Sequence, residues 1–400
     1  MSFRISNIFD YDTFLAIDIW AFKTKVLACK IDWQDLKIVW FSTLRQSKKD
    51  MYNGEITDIS SISKSIQKAI TKACQWLETI PNDVLVLLNS SELIYDFTSI
   101  NYLRKWSSSA ISMKEIDEMI EDVEIRSLDK IKTKTESRLG IIEAEMKLVT
   151  TSITWIYVDW QKISNPIWFT WKNVKLNLIN VFCPVNRFWV IKNIIHDIWM
   201  NLISIVPLPI SLPKLIEDSP YNYDANVFVD FGYSKTTVIL QANSEIIGFN
   251  VLNFWYSILE DELRNHLDKS YLDIENILSS IDENYEDYKK IIDETMEFLF
   301  NSIVVAIQDV DKSFFMKNVF VSWAWVSEIL KKKIAENFEK NHIGKHITVV
   351  DKFLFDDSLK EYNNNSMLAV CSLAKAGKEL MAIKKDPLVR ILRYVIYKYE

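Results

Sequence analysis

The sequence predicts an α/β fold of two similar halves, and three observations carry that expectation. A strand–turn–strand unit occurs twice, over 15–31 and over 227–240, each time with an aspartate before the turn, Asp18 and Asp230. Strand-like apolar runs alternate with amphipathic helical stretches along most of the chain. The length, 400 residues, exceeds one ordinary domain, so two or more units share it.

In "LAIDIWAFKTKVLACKID" (15–32), the apolar runs Leu15–Ile19 and Val26–Ile31 flank a polar bend. This reads as two antiparallel strands and a tight turn, with Asp18 entering it and Lys25 beyond it. Residues 14–46 continue as a strand meander. Residues 56–77 form an amphipathic helix with Ile59, Ile62, Ile66, Ala69, Ile70 and Ala73 on one face. An apolar strand follows at 83–90. Between 92 and 170 the pattern changes to a charged helix, Met113–Asp129, then two strands, "EAEMKLVTTSI" and "WIYVDWQKI". A strand (174–184), a helix (186–198) and a strand (201–208) lead to a proline-punctuated linker. Strands at 226–231, 236–241 and 245–251 then repeat the first theme around a turn at Asp230-Phe231-Gly232. The stretch 257–310 is helical and acidic. A strand (317–322), a helix (326–341), a strand (346–350) and a helix (366–382) complete the second half.

Composition narrows the function classes. With 49% hydrophobic and 25% charged residues the chain is an ordinary globular protein. A net charge of −7 argues against nucleic acid as a partner. Cys29, Cys74, Cys183 and Cys371 are far apart and form no CxxC pair, so they suggest neither a metal nor a disulfide framework. The four histidines form no cluster with ligand spacing. No signal peptide is expected at the start, and no apolar run reaches the length of a membrane span.

One feature conflicts with a phosphate-gripping turn. Such a turn needs backbone amides close to the ligand, which glycine allows, yet Trp20 stands in the first one. The chain has 6 Gly and 14 Trp in 400 residues, where glycine is usually about 7%. Asp32-Trp33 and Asp159-Trp160 occupy places where Asp-Gly hairpin turns are expected. Trp76, Trp106 and Trp199 follow helical segments, where glycine caps are usual. "VSWAWVSEILKKKI" (321–334) runs from strand to helix, where a glycine-rich turn brings backbone to a ligand. Trp40, Trp155, Trp168, Trp171, Trp189 and Trp255 also fall at segment edges. UGA is read as glycine in some bacterial genetic codes and as tryptophan in others. The expectation is that most or all of these tryptophans are glycines in the native protein; a tryptophan-rich core is the alternative.

The two hairpins and the strand–turn–helix Ser322-Trp323-Ala324-Trp325 resemble the actin/Hsp70/hexokinase ATPase superfamily. Within it, "VDWQKISNPIWFTWKNVKL" (158–176), read with glycines, resembles a stretch of the bacterial cell-division actin family FtsA. "LNFWYSILEDELR" (252–264) is similar to that family's sugar-side strand and helix. The resemblance runs from about residue 13 to the last residue. It implies an actin-like ATPase fold of two similar α/β halves around a nucleotide cleft, with an inserted FtsA-type subdomain. It also implies a division of the chain. A tail (1–12) precedes one half (13–83 and 172–212) with the insert at 84–171. The other half comprises 222–256 and 311–382, with a reduced helical subdomain at 257–310, and residues 383–400 hold a linker and terminal helix.

The cofactors implied are ATP and Mg²⁺. By the resemblance, Asp18 and Asp230 position Mg²⁺ or its waters beneath the phosphates, and Lys25 takes the place of the basic residue on the first hairpin. Backbone amides at Trp20, Ala21 and Phe22, and at Gly232, Tyr233 and Ser234, grip the phosphates. Ser234 and Thr236 are candidate hydroxyl donors. Trp323, Ala324 and Trp325 lie against adenine and ribose, and Glu260 or Asp261 is a candidate ribose contact. No residue reads as a catalytic base, so hydrolysis is expected to be slow at most.

"KKDPLVRILRYVIYKYE" (384–400) adds a physical argument. Asp386 can cap a helix opened by Pro387, with Leu388, Ile391, Leu392 and Val395 in one apolar stripe and Arg390 and Arg393 as cations. That composition suits an interfacial helix on an anionic membrane, and the family ends in such a helix; a last helix docked on the core is the alternative. The partners implied are FtsZ, further copies of the chain in a filament, the anionic membrane surface, and later division proteins recruited through 84–171. The place implied is the cytoplasmic face of the inner membrane at the division site. Two other readings use the same fold: a PilM-like pilus-assembly ATP-binding protein, and a sugar or acetate kinase.

Overall fold

The computed structural model describes residues 13–19, 23–32, 35–47, 49–52, 55–104, 108–139, 145–163, 169–170, 172–313, 316–323, 327–340, 346–349 and 367–381. The first half opens with β1 (Thr13–Asp18), β2 (Lys23–Asp32) and β3 (Asp35–Arg45), an antiparallel meander. A short pair, β4 (Met51–Tyr52) and β5 (Glu55–Ile56), precedes α1 (Ile59–Ala73) and β6 (Asp83–Leu88). The inserted unit is β7 (Ile94–Leu103), α2 (Met113–Leu139), β8 (Met146–Val158), β9 (Gln161–Ile163) and β10 (Asn173–Pro184). α3 (Val185–Asp197), β11 (Asn201–Pro207) and α4 (Leu208–Ser211) return to the first half. Two 3₁₀ turns, Leu212–Ile216 and Pro220–Tyr223, lead into β12 (Asn226–Phe231), β13 (Thr236–Ala242) and β14 (Glu245–Leu252). Then come α5 (Tyr256–Leu267), α6 (Tyr271–Ser279), α7 (Ile281–Val310), β15 (Asn318–Trp323), α8 (Glu328–Lys340), β16 (His346–Val349) and α9 (Leu368–Met381).

The two halves share one topology. The first sheet has the order β3-β2-β1-β6-β11 and the second β14-β13-β12-β15-β16. In each, the first three strands form an antiparallel meander and the last two lie parallel to its first strand. β1 and β6 are continuous apolar runs because helices cover both faces of their sheet; Phe14 to Ile17 and Val84 to Leu88 are almost fully buried. α1 starts where the Asp58 carboxylate accepts from the Ser61 N–H at 2.9 Å, an N-cap. It buries Ile62, Ile66, Ala69 and Ile70 and turns Lys64, Lys68 and Lys72 outward. The insert is a four-stranded sheet, β7-β10-β8-β9, with α2 packed on it. Among the described residues, no helix is long and apolar enough to cross a membrane.

Five features differ from the sequence reading. The insert comprises β7 to β10, Ile94–Pro184, rather than 84–171, because β6 pairs in the first sheet and β10 pairs with β7 and β8. β8 is one strand of 13 residues rather than two. Against β10 its register jumps from Trp155 to Ile153, leaving Thr154 as a bulge. A bulge reverses the in/out alternation along a strand, which is why the pattern looked broken. α2 runs past Asp129 to Leu139, since no glycine or proline intervenes before Gly140. Trp40, Trp155 and Trp189 lie inside β3, β8 and α3, not at element edges. Finally, the boundary at 382 placed α9 with the second half, but α9 packs on β1, β2 and β6. Its Leu368, Val370 and Leu373 belong to the core of the first half. A Cβ on Gly377 would lie 2.5 Å from Leu85 Cδ1 and from Phe14 Cε2, so only glycine lets the helix approach this closely.

Candidate functional site

Corresponding positions of the two hairpins meet the same pairing pattern. Asp18 lies opposite Lys25 across the hairpin and beside Leu87 of the parallel strand. Asp230 lies opposite Thr237 and beside Ser322. Each aspartate thus stands at the carboxyl end of the first strand of its sheet, where open α/β sheets bind ligands.

The first hairpin holds a buried ion pair. Lys25 Nζ donates to Asp18 Oδ2 at 3.0 Å, with both side chains buried. Beside it, Gln46 Nε2 donates to the Ile19 carbonyl at 3.2 Å and to the Thr24 hydroxyl, which fixes both sides of the hairpin tip. Trp20, Ala21 and Phe22 lie outside the described residues.

The second hairpin is tighter. The Gly232 N–H donates to the Lys235 carbonyl at 2.9 Å, and a Cβ on Gly232 would sit 3.0 Å from that oxygen. Ser322 Oγ donates to Asp230 Oδ1 at 2.6 Å. Burial pushes the Asp230 carboxyl up to about 6, opposed by Ser322 and Lys25 and reinforced by the Asp18 charge. The Asp18 charge thus reaches Asp230, its counterpart in the other half. The Tyr233 hydroxyl donates to Glu260 Oε2; burial and then Glu260 push that phenol well above its ordinary range. Ser234 is half-buried. Thr236 is fully buried and its hydroxyl donates to the Phe254 carbonyl at 2.7 Å, so that proton is committed within the protein. Tyr271 OH lies 3.4 Å from Asp261 Oδ1 on the exposed side of α5, while Glu260 is buried beside Tyr233. Trp323 ends β15 opposite Phe231. Ala324 and Trp325 lie outside the described residues, as do Leu388, Arg390, Ile391, Leu392, Arg393 and Val395.

The sequence reading missed the group that joins the halves at the base of the site. Lys235, directly after the second tip, is buried and donates to Glu55 Oε1 at 3.1 Å and to the Asn89 carbonyl at 3.2 Å. Thr237 Oγ1 donates to Asn89 Oδ1 at 3.0 Å. Arg187 lies between Glu55 and Glu92, at 2.9 and 2.7 Å. Burial pushes the Lys235 ammonium down, against the raising effect of Glu55. The signal available was a lysine following Gly232-Tyr233-Ser234, two residues before the partner of Asp230 as Lys23 is before the partner of Asp18.

The donor set suits ATP with Mg²⁺. Asp230 is a buried carboxyl whose ionised form lacks full neutralisation, facing Asp18, and a cation between them would supply it. Among the described residues, no group of three or more His, Cys, Asp or Glu could hold a metal alone.

No protein-family model and no curated protein matches the chain. Solved structures do. A chain of a PilM-PilN type IV pilus biogenesis complex superposes with a TM-score of 0.64 at 11% identity, covering 91% of this chain and 98% of that one. The ethanolamine utilization protein EutJ from Carboxydothermus hydrogenoformans superposes with a TM-score of 0.50 at 8% identity, covering 91% and 89%. At such identities the likeness is one of fold, and the chain has the α/β actin-like ATPase fold, two halves of matching sheet topology.

Proposed function

We propose that this protein is an ATP- and Mg²⁺-binding actin-like protein of the FtsA type. In this reading it polymerises at the membrane, tethers the FtsZ ring at the division site and recruits later division proteins through 84–171. The observation that carries the nucleotide part is the pair of facing aspartates, Asp18 and Asp230, with Lys25 acting on both. Bound ATP would supply phosphate charge, and Asp18 and Asp230 would hold Mg²⁺ or its waters beside it. The chain's own residues position the two carboxylates, present Lys25 to the phosphates and hold the second turn through Gly232. The four-stranded insert with α2 spans Ile94–Pro184 between β6 and α3, and in this reading it is the counterpart of the subdomain that the resemblance set at 84–171.

Flotation of the full chain on anionic liposomes, beside a chain ending at residue 383, tests the tether. Flotation that needs 384–400, together with ATP-dependent co-sedimentation with FtsZ, supports the reading. A full chain that stays at the bottom of the gradient rejects the tether. A PilM-like protein is the second reading, favoured by the superposition on a PilM-PilN chain over 98% of that chain's length. It expects nucleotide binding without flotation and capture of a short peptide from a membrane partner.

The same reading makes glycines of most tryptophans, and backbone geometry supports it at two of them. Asp159 and Trp160 have φ of 40° and 76° and form the two-residue turn between Val158 and Gln161. Such turns need positive φ at both positions and favour Asp-Gly. After α3, the Trp199 N–H donates to the His196 carbonyl at 2.9 Å and the Met200 N–H to the Ile195 carbonyl at 3.2 Å, with Trp199 at φ 59°. This is a Schellman cap, whose left-handed residue is usually glycine. Both indoles are 87% exposed, and the stacking of Trp199 on His196, with 6.3 Å between ring centroids, is a weak offset to the strain. The intact mass of protein purified from its own source decides the matter: a deficit equal to Trp-to-Gly replacement supports the reading, and the printed mass rejects it.

A further inference from the structure

Beyond a shared apolar core that includes Phe228, Ile239, Phe249 and Phe320 of the second half, the polar contacts that reach the two hairpins are of two kinds. At the base they are buried: Lys235 with Glu55 and Asn89, and Thr237 with Asn89. At the rim a bridge from one guanidinium nitrogen to both oxygens of a carboxylate is exposed; another exposed pair, Lys162–Glu245 at 3.7 Å, lies at the β13–β14 turn. Arg45 Nη2 lies 2.9 Å from Glu275 Oε1 and 3.0 Å from Oε2, with side chains 55% and 30% exposed.

Each end of that bridge is mechanically tied to a hairpin tip. Arg45 closes β3 opposite Lys23, the first residue of β2 after the first tip. The next residue, Gln46, holds Ile19 and Thr24 on the two sides of that tip. Glu275 lies on α6, which packs on α5. The first residue of α5, Tyr256, has its ring 5.9 Å from that of Tyr233 in the second tip, and the Ser257 N–H donates to the Tyr233 carbonyl at 3.0 Å. The Glu275 charge also acts on the Tyr256 hydroxyl.

We propose that the Arg45–Glu275 bridge is a strap across the mouth of the cleft, which holds the two hairpin tips together and opens to admit and release nucleotide. A buried base and an exposed rim define a hinge: buried pairs resist separation because each charge would be left without its partner, whereas an exposed pair is weak and screened by salt. The strap therefore sets how often the mouth opens and leaves the hinge intact. The release part rests on the nucleotide-binding reading above; the holding part does not.

The test uses the full chain with Glu275→Gln, Arg45→Gln and the charge exchange Arg45→Glu with Glu275→Arg. Dissociation of a fluorescent ATP analogue, chased with ATP, should be roughly two- to five-fold faster in each single variant and return toward the parent in the exchange. The acceleration should fade at high salt, where the parent's own strap is screened. Without nucleotide, amide hydrogen exchange should rise in both single variants at Lys23–Lys25 and at Tyr256–Leu259, with the Asn89 region unchanged. Unchanged dissociation, or faster dissociation that the exchange of charges does not correct, overturns the strap. So does unchanged amide exchange at the two tips. If the parent binds no nucleotide, the functional reading fails, and the amide exchange still decides whether the strap exists.

Discussion

Lys25 Nζ lies 3.0 Å from Asp18 Oδ2 within one hairpin, and both side chains are buried. Removing one partner of such a pair leaves a charge without compensation, which costs about 3–5 kcal/mol. Asp18→Ala should therefore lower the denaturant midpoint strongly. Lys25→Met in the same chain should recover most of the loss, because an apolar chain of similar length replaces the stranded ammonium. Equal losses in the single and double variants would contradict the pairing.

Asp230 gives the opposite sign. Its carboxyl is pushed up to about 6 in the folded chain from an ordinary 3.8, so the folded state binds the proton more tightly than the unfolded one. The penalty of keeping it ionised is fully present above about 6 and is lost as pH falls toward 4. Without divalent cations, Asp230→Asn should be the more stable chain at pH 7, by on the order of 2 kcal/mol. The difference should vanish near pH 4. Mg²⁺ with ATP should stabilise the parent more than the variant. A flat difference between the two chains from pH 7 to pH 4 would sink this account.

The tryptophans separate by backbone and burial. Trp199→Gly and Trp160→Gly each relieve a left-handed residue and remove an exposed indole, so each should stabilise the chain by about 1 kcal/mol. Trp255 is 3% exposed, with its ring 4.1 Å from that of Phe231. Trp255→Gly in the printed chain should cost about 3–5 kcal/mol. Thermal unfolding of the three variants checks the contrast; destabilisation by the first two would speak for native tryptophan there.

Most of the architecture was legible because its signals are local. Asp18, Lys25 and Asp230 stand beside apolar runs that can only be buried strands, and the repeated unit announced two matching sheets. Gly232 marked its turn because a Cβ there would crowd the Lys235 carbonyl. What stayed hidden depends on distant partners. Lys235 reads as a surface lysine until Glu55 and Asn89 fold against it. Thr154 reads as a break in a strand until β10 supplies the register that makes it a bulge. Arg45 and Glu275 are 230 positions apart and lie on elements with no shared pattern.

The place of α9 could not be read from sequence order, and it has a consequence at the site. Gly377 faces Phe14 and Leu85 on adjacent strands of the first sheet, and β1 ends in Asp18. A methyl group at 377 would displace the ends of the Leu85 and Phe14 side chains, and both are fully buried in the core. Gly377→Ala should therefore destabilise the first half by about 1–3 kcal/mol. Amide exchange should rise in α9 and β1 while β12 and β15 stay protected. Leu85→Val in the same chain opens space on one side and should return part of the loss. Equal exchange increases in both halves would place α9 as a shared element and restore the boundary that the sequence suggested.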